Sequence, residues 1–208
     1  MIVKARRSNP RRVFMTLSKS RVAVLVGAFT ALAAGPLPMN WGAGGRNSTD
    51  FEMGTDAAEK FEGKPVVVIR SGPKSAADGD GNLSTAFRAG NYRGKRLRFT
   101  AWLKTESVTL GSGLFLRVNG DLKDNAWPRL VNANTRYQPL KGTTKWALFK
   151  IVAEIPVDAN HVTIGAYQEG LGTTWMTAPS VEIVGTEVPL TPQQLPLPEA
   201  PQLDLSKQ

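Results

Sequence analysis

From Asp50 onward, apolar and polar side chains alternate in short runs separated by Gly, Asn, Asp and Ser clusters. A period of two places successive side chains on opposite faces of a strand. The pattern predicts strands near 50–53, 65–71, 83–88, 95–105, 113–119, 146–155, 161–169 and 180–188. Turns are expected at Ser75–Asn82, Gly90–Gly94, Gly111–Gly113, Asn132–Asn134, Lys141–Thr144 and Glu169–Thr174. Asp56–Phe61 could form one turn of helix, and no other window from Asp50 onward carries a helical period. Many short strands with Gly-rich turns imply an all-β antiparallel sandwich or barrel.

Alternation also sorts the faces. Leu97, Phe99, Ala101 and Leu103 share one side of their strand, and Arg98, Thr100, Trp102 and Lys104 the other. Leu114, Leu116 and Val118 oppose Phe115, Arg117 and Asn119. Phe149, Ile151, Ala153 and Ile155 oppose Leu148, Lys150, Val152 and Glu154; Val162, Ile164 and Ala166 oppose Thr163, Gly165, Tyr167 and Glu169. A solvated face is ordinarily polar, yet this outward set mixes Trp102, Phe115 and Tyr167 with Arg117, Asn119 and Glu169. Rings beside polar donors and acceptors suit stacking on the apolar side of a sugar, with hydrogen bonds to its hydroxyls. A peptide or an aromatic ligand would find the same groups useful. The competing expectation is that a loop or tail covers the face and the rings only pack.

The first 33 residues change the picture of charge. The whole chain has 208 residues, 26 Lys and Arg against 17 Asp and Glu, and a formal charge of +9. Lys4, Arg6, Arg7, Arg11, Arg12, Lys19 and Arg21 all precede the apolar run Val22–Ala34, and no acid lies among them. Gly35, Pro36 and Pro38 break that run. Thirteen residues are too few to span a bilayer core of about 30 Å. A basic region, a short apolar stretch and Ala31-Leu32-Ala33 match a secretory signal peptide over 1–33. Met15 is an alternative start, and Arg11-Arg12-Val13-Phe14-Met15 resembles a twin-arginine export motif. The expected location is periplasmic or secreted, with no stable membrane span after cleavage. Residues 34–49 then read as a linker carrying the glycosylation sequon Asn47-Ser48-Thr49, 50–188 as the domain, and 189–208 as a Pro-rich tail able to dock a protein partner.

Three segments carry a family resemblance. Asn91–Thr105 (NYRGKRLRFTAWLKT), Gly113–Gly120 (GLFLRVNG) and Leu140–Trp146 (LKGTTKW) occur in the order found in a bacterial jelly-roll family. That family is similar to galactose-binding-like and carbohydrate-binding-module domains. Its members stand alone or follow the DNA-binding part of transcription regulators. The resemblance implies a jelly-roll β-sandwich with a binding role, and no catalytic residue carries over. Trp175-Met176-Thr177-Ala178-Pro179 stands where the family has an acidic "WVDDV"-like segment, and Asn119 replaces the usual acid.

The remaining chemistry is sparse. Absence of Cys excludes thiol catalysis, disulfides, thiolate zinc and a lipoprotein anchor, and a single His, His161, excludes any pair of imidazoles. Asp78-Gly79-Asp80-Gly81-Asn82 opens like a calcium loop, but Leu83 and Ala89 stand where Gly and Glu are needed, leaving a polar turn. No nucleophile-elbow, phosphate-loop or zincin motif occurs. No enzyme, cofactor or metal is expected. The stretch 88–104 holds Arg88, Arg93, Lys95, Arg96, Arg98 and Lys104 without an acid. Nucleic acid conflicts with export, so the expectation is a solvated strand balanced by acids elsewhere, or a patch for an anionic polysaccharide. The sequence thus points to an exported, non-catalytic binding module for carbohydrate or another envelope ligand. Its expected contacts are Trp102, Phe115, Arg117, Asn119, Tyr167 and Glu169. A structural or protein-interaction module, or a sensory domain, is the alternative.

Overall fold

The computed structural model describes residues 33–192. The strands among them are β1 (Trp41–Gly44), β2 (Phe51–Thr55), β3 (Val66–Ser71), β4 (Asp80–Arg88), β5 (Arg96–Asn119), β6 (Arg129–Asn134), β7 (Leu140–Glu154), β8 (His161–Glu169) and β9 (Thr173–Val184). Every pairing between them is antiparallel. Two 3-10 turns, Ser48–Asp50 and Gly90–Tyr92, are the helical elements among the described residues. No helix there is long and apolar enough to cross a membrane.

Strand β5 builds both layers of the jelly-roll sandwich. Its first half pairs with β7 and β9, and its second half with β8 and β6. One layer therefore runs β7-β5-β9-β3-β2, and the other β6-β5-β8-β4-β1. The register of β5 against β7 slips between Thr105 and Ser112. Ser107, with φ of 54°, lies at this crossing from one layer to the other. Glycine-rich 111–113, expected as a turn, is instead the entry of β5 into the second layer. A Cβ on Gly113 would overlap the Thr135 hydroxyl oxygen, so the absence of a side chain there permits close packing.

The core lies between the layers as the alternation predicts. Leu97, Phe99, Ala101 and Leu103 of the first layer are fully buried against Leu114, Leu116 and Val118 of the second. Ile151, Ala153, Val162, Ile164 and Ala166 complete the interior. Removing such a side chain from water is worth about 1.5–3 kcal/mol, which fixes each strand's register because a one-residue slip would expose the whole row.

Several elements differ from the sequence reading. Trp41–Gly44 lies within the expected linker, yet it pairs with Leu83 and its neighbours as β1. Strand β6 falls where only a turn was expected, and β9 begins at Thr173 rather than near 180. Asp56–Phe61 is not helical: Asp56 Oδ1 accepts hydrogen bonds from the Ala58 and Glu59 amides, the local competition that disfavours helix at such residues. The start of the tail is docked. Thr191 is buried, donates its amide to the Val152 carbonyl and accepts the Val152 amide on its hydroxyl. Val152, expected to face out, is thereby buried. The expected export segment, apart from Ala33, and the tail beyond Pro192 lie outside the described residues.

Candidate functional site

The outer face of the second layer is built in rows set by strand register. Glu169 and Gly111 head it beside Asp80, followed by Tyr167, Gly113 and Asn82, then Gly165, Phe115 and Ser84. Thr163, Arg117 and Ala86 follow, and His161, Asn119 and Arg88 end it. The nine residues of β8 make this face about 26 Å long. On β8, β4 and β1 it has a floor of small residues, with Gly165, Ser84 and Gly42 aligned. Large side chains rise only on the β5–β6 side and at the His161 end. There Trp127, 46% exposed, sits edge-on to His161 with ring centres 5.0 Å apart.

A bulge makes the β5–β6 side. Asn134 is opposite Phe115 and Asn132 opposite Arg117, but Arg129, not Leu130, is opposite Asn119. The extra residue rotates Arg129 to the outer face, where strict alternation would have turned it inward with Val131 and Ala133. Phe115, Arg117, Arg129, Asn132, Asn134, Arg136 and Tyr167 then line a cleft of about 200 Å³.

The aromatic rings in this cleft are not open platforms. Phe115 and Tyr167 are each only 3% exposed. The Arg117 guanidinium carbon lies 4.7 Å from the Phe115 ring centre, and that of Arg136 lies 4.7 Å from the Tyr167 ring centre. The rings orient guanidinium groups by cation–π contact and apolar packing. Stacking of a sugar directly on Phe115 or Tyr167, the sequence expectation, is therefore corrected: the cleft presents cations and amides.

Electrostatics sharpen this picture. Burial lowers the Arg117 pKa, and the charges of Arg129 and Arg136 lower it further, against an opposing pull from Asp80. The Arg117 Nε is buried without a hydrogen-bond partner. Arg136 pairs with Glu169, and Asp80 pairs with Arg46, 3.6 Å away, but neither Arg117 nor Arg129 has an ion pair among the described residues. Burial also pushes the Tyr167 phenol up to about 12; its hydroxyl approaches that of Thr135 but makes no well-formed hydrogen bond. Tyr167 is neutral at ordinary pH.

Five of the six expected site residues share this outer face, and Trp102 does not. Trp102 lies on the outer face of the other layer, 4.9 Å from the Phe61 ring, beside the patch of Val66, Val68, Trp175 and Trp146. The 56–65 loop folds over that patch, closed by the Phe61–Lys64 bridge. Asn119 stands at the end of the β5 row and donates to the Trp127 carbonyl at 3.2 Å, and Glu169 holds Arg136 at the opposite end. Half of the basic stretch 88–104 is ion-paired: Arg96 with Glu154, Arg98 with Glu182 and Lys104 with Glu59, while Arg88, Arg93 and Lys95 bond to amide or carbonyl oxygens. Sequence reasoning missed Arg129, Asn132, Asn134, Arg136 and Trp127. The alternation of Asn132, Asn134 and Arg136 was a usable signal, but Asn is a poor strand former and the bulge broke the pattern before it reached Arg129.

No protein-family model matches the chain. It is 30% identical over 156 residues to YbfP of Bacillus subtilis (strain 168), described as an uncharacterized HTH-type transcriptional regulator. The match takes in 75% of this chain and 52% of the regulator, so the chain spans about half the length of that relative. Among solved structures, the fold is similar to the enzymatically active domain of bacteriophage CBA120 tailspike protein 4. The TM-score is 0.54 and the identity 11%, over 70% of this chain and 20% of that one. The CBM22-1–GH10 modules of Clostridium thermocellum xylanase 10B give a TM-score of 0.49 at 12% identity, over 70% of this chain and 26% of that one. A xylan-binding domain from CBM 22 gives 0.48 at 12%, over 71% of this chain and 89% of that one. At such identities the likeness concerns the fold alone. The match to a regulator agrees with the resemblance seen in the sequence.

Proposed function

We propose that the outer face of the second layer is a non-catalytic carbohydrate-binding surface. The observation that carries this reading is the pairing of a floor of small residues with a wall of hydrogen-bonding groups. Gly165, Ser84, Thr163 and Ala86 leave room along β8 and β4, while Arg117, Arg129, Asn132 and Asn134 project beside them. Trp127 supplies the exposed ring at the His161 end. Guanidinium and amide groups suit sugar hydroxyls, and one exposed indole suits the apolar face of a pyranose ring. Residues 1–33 support a periplasmic or secreted location for this activity, which fractionation of cells expressing the full gene would test.

Titration of the full chain with a panel of neutral and acidic oligosaccharides, read by calorimetry, tests the proposal. Binding to at least one glycan, weakened in Trp127→Ala and in Asn132→Ala, supports it. Absence of heat from every glycan sinks it. A second reading draws on the similarity to the regulator YbfP: the same face, in a chain allied to a DNA-binding segment, would sense its ligand and report it to another protein. Ligand-dependent co-purification with a DNA-binding partner would separate sensing from simple adhesion.

A further inference from the structure

We infer that the cleft between β5 and β6 takes the carboxylate of an acidic sugar unit, bound by Arg117 and Arg129 with Arg136 at its flank. This inference rests on the carbohydrate reading above and adds a ligand class to it. Three guanidinium groups converge on a space of about 200 Å³. Like charges brought together in this way are unfavourable unless something anionic meets them. The protein itself supplies only part of that anion. Glu169 is taken up by Arg136, Asp80 is held by Arg46, and Arg117 and Arg129 have no ion pair among the described residues. The contrast along β5 is specific: Arg96, Arg98 and Lys104 of its first half each have a carboxylate of their own.

The geometry also narrows the anion. Arg117 is held by Phe115 beneath it, and its Nε is buried with no partner. A planar guanidinium fork matches a planar carboxylate in two parallel hydrogen bonds. Asn132 and Asn134 flank Arg117 and Phe115 across the β5–β6 pairing, placed for the hydroxyls of the same sugar ring. Glu169 stands at the Tyr167 end, and its charge disfavours a doubly charged phosphate more than a singly charged carboxylate. Nucleic acid fits poorly, because the two rings that could stack bases lie beneath guanidinium groups.

The test compares uronate oligosaccharides (galacturonate, glucuronate and mannuronate series) with their methyl esters, using the full chain and calorimetry. Esterification removes the charge and keeps the sugar. The expected result is that one uronate series binds at least tenfold more tightly than its ester, with affinity falling as salt rises. Arg129→Gln, an exposed change, should abolish the difference in affinity between acid and ester. Arg117→Gln, checked for folding by circular dichroism, should do the same. Equal binding of acid and ester overturns the carboxylate assignment while leaving the carbohydrate reading in place. Binding of sulfated but not uronate saccharides also overturns it. Binding of no saccharide at all overturns both.

Discussion

The Arg117 guanidinium rests 4.7 Å from the centre of the Phe115 ring, two residues away on β5, and has no carboxylate partner among the described residues. Phe115 is almost wholly covered, and Arg117 lines the cleft beside it. The pair converts an apolar strand residue into a support for a charged one. A stability cost follows, because Arg117 is half-buried beside Arg129 and Arg136.

Arg117→Met should therefore leave stability unchanged or raise it by about 1 kcal/mol, since it removes a desolvated cation and keeps an apolar stem over Phe115. Urea denaturation of both forms measures this. A loss larger than about 1 kcal/mol would mean that Arg117 serves packing rather than ligand.

Trp102→Ala gives the complementary result. Trp102 packs on Phe61 across the outer face of the first layer, away from the cleft. The substitution should lower stability by about 2 kcal/mol and leave glycan affinity as in the parent. Reduced affinity in a folded Trp102→Ala protein would move the ligand to the other layer.

Asp56 links stability to pH. Its carboxyl is 8% exposed and accepts from Trp175 Nε1 at 2.8 Å and from Arg70 at 3.4 Å. Burial raises its pKa, but the Trp175 bond, the Glu59 and Ala58 amides and the Arg70 charge outweigh that and hold it below 3.8. The folded state thus binds fewer protons than the unfolded chain as acid is added. The stabilisation is complete above the unfolded value of 3.8 and is lost as pH falls through the lower folded value. Asp56→Asn should reduce stability at neutral pH by about 1–2 kcal/mol and flatten the acid limb of a stability–pH curve. An unaltered acid limb would assign that limb to other carboxyls.

Thr191 fastens the start of the tail to the free edge of β7 through two hydrogen bonds with Val152. Thr191→Val keeps the shape but strands the Val152 amide, at a cost of about 1–3 kcal/mol. Hydrogen exchange at Val152 should accelerate in this variant. Exchange as slow as in the parent would show that the edge is protected without the tail.

Much of the fold was legible because burial imposes a period. Leu97, Phe99, Leu103, Leu114 and Leu116 were placed in the core by alternation alone, and the core contains them. Legibility failed where a strand lacks a clean apolar row. Strand β1 (WGAG) offers one large side chain, and β6 (RLVNAN) is interrupted by its bulge. The candidate site suffered most, since three of its seven cleft residues come from β6.

The amino-acid sequence by itself determined the all-β class, the core rows and the outward placement of Phe115, Arg117, Asn119, Tyr167 and Glu169, because side-chain period is a local property of a strand. Only the tertiary structure decided which outward rows meet. Trp102 and Phe115 lie on the same strand, both facing out, yet β5 crosses from one layer to the other between them. That crossing sends one ring to each side of the sandwich. Likewise, whether a basic residue is neutralised depends on its cross-strand partner. Arg98 meets Glu182, whereas Arg117 meets Asn132 and Thr163. Pairing between distant segments, which no local pattern encodes, made one strand half inert and the other half a cationic cleft.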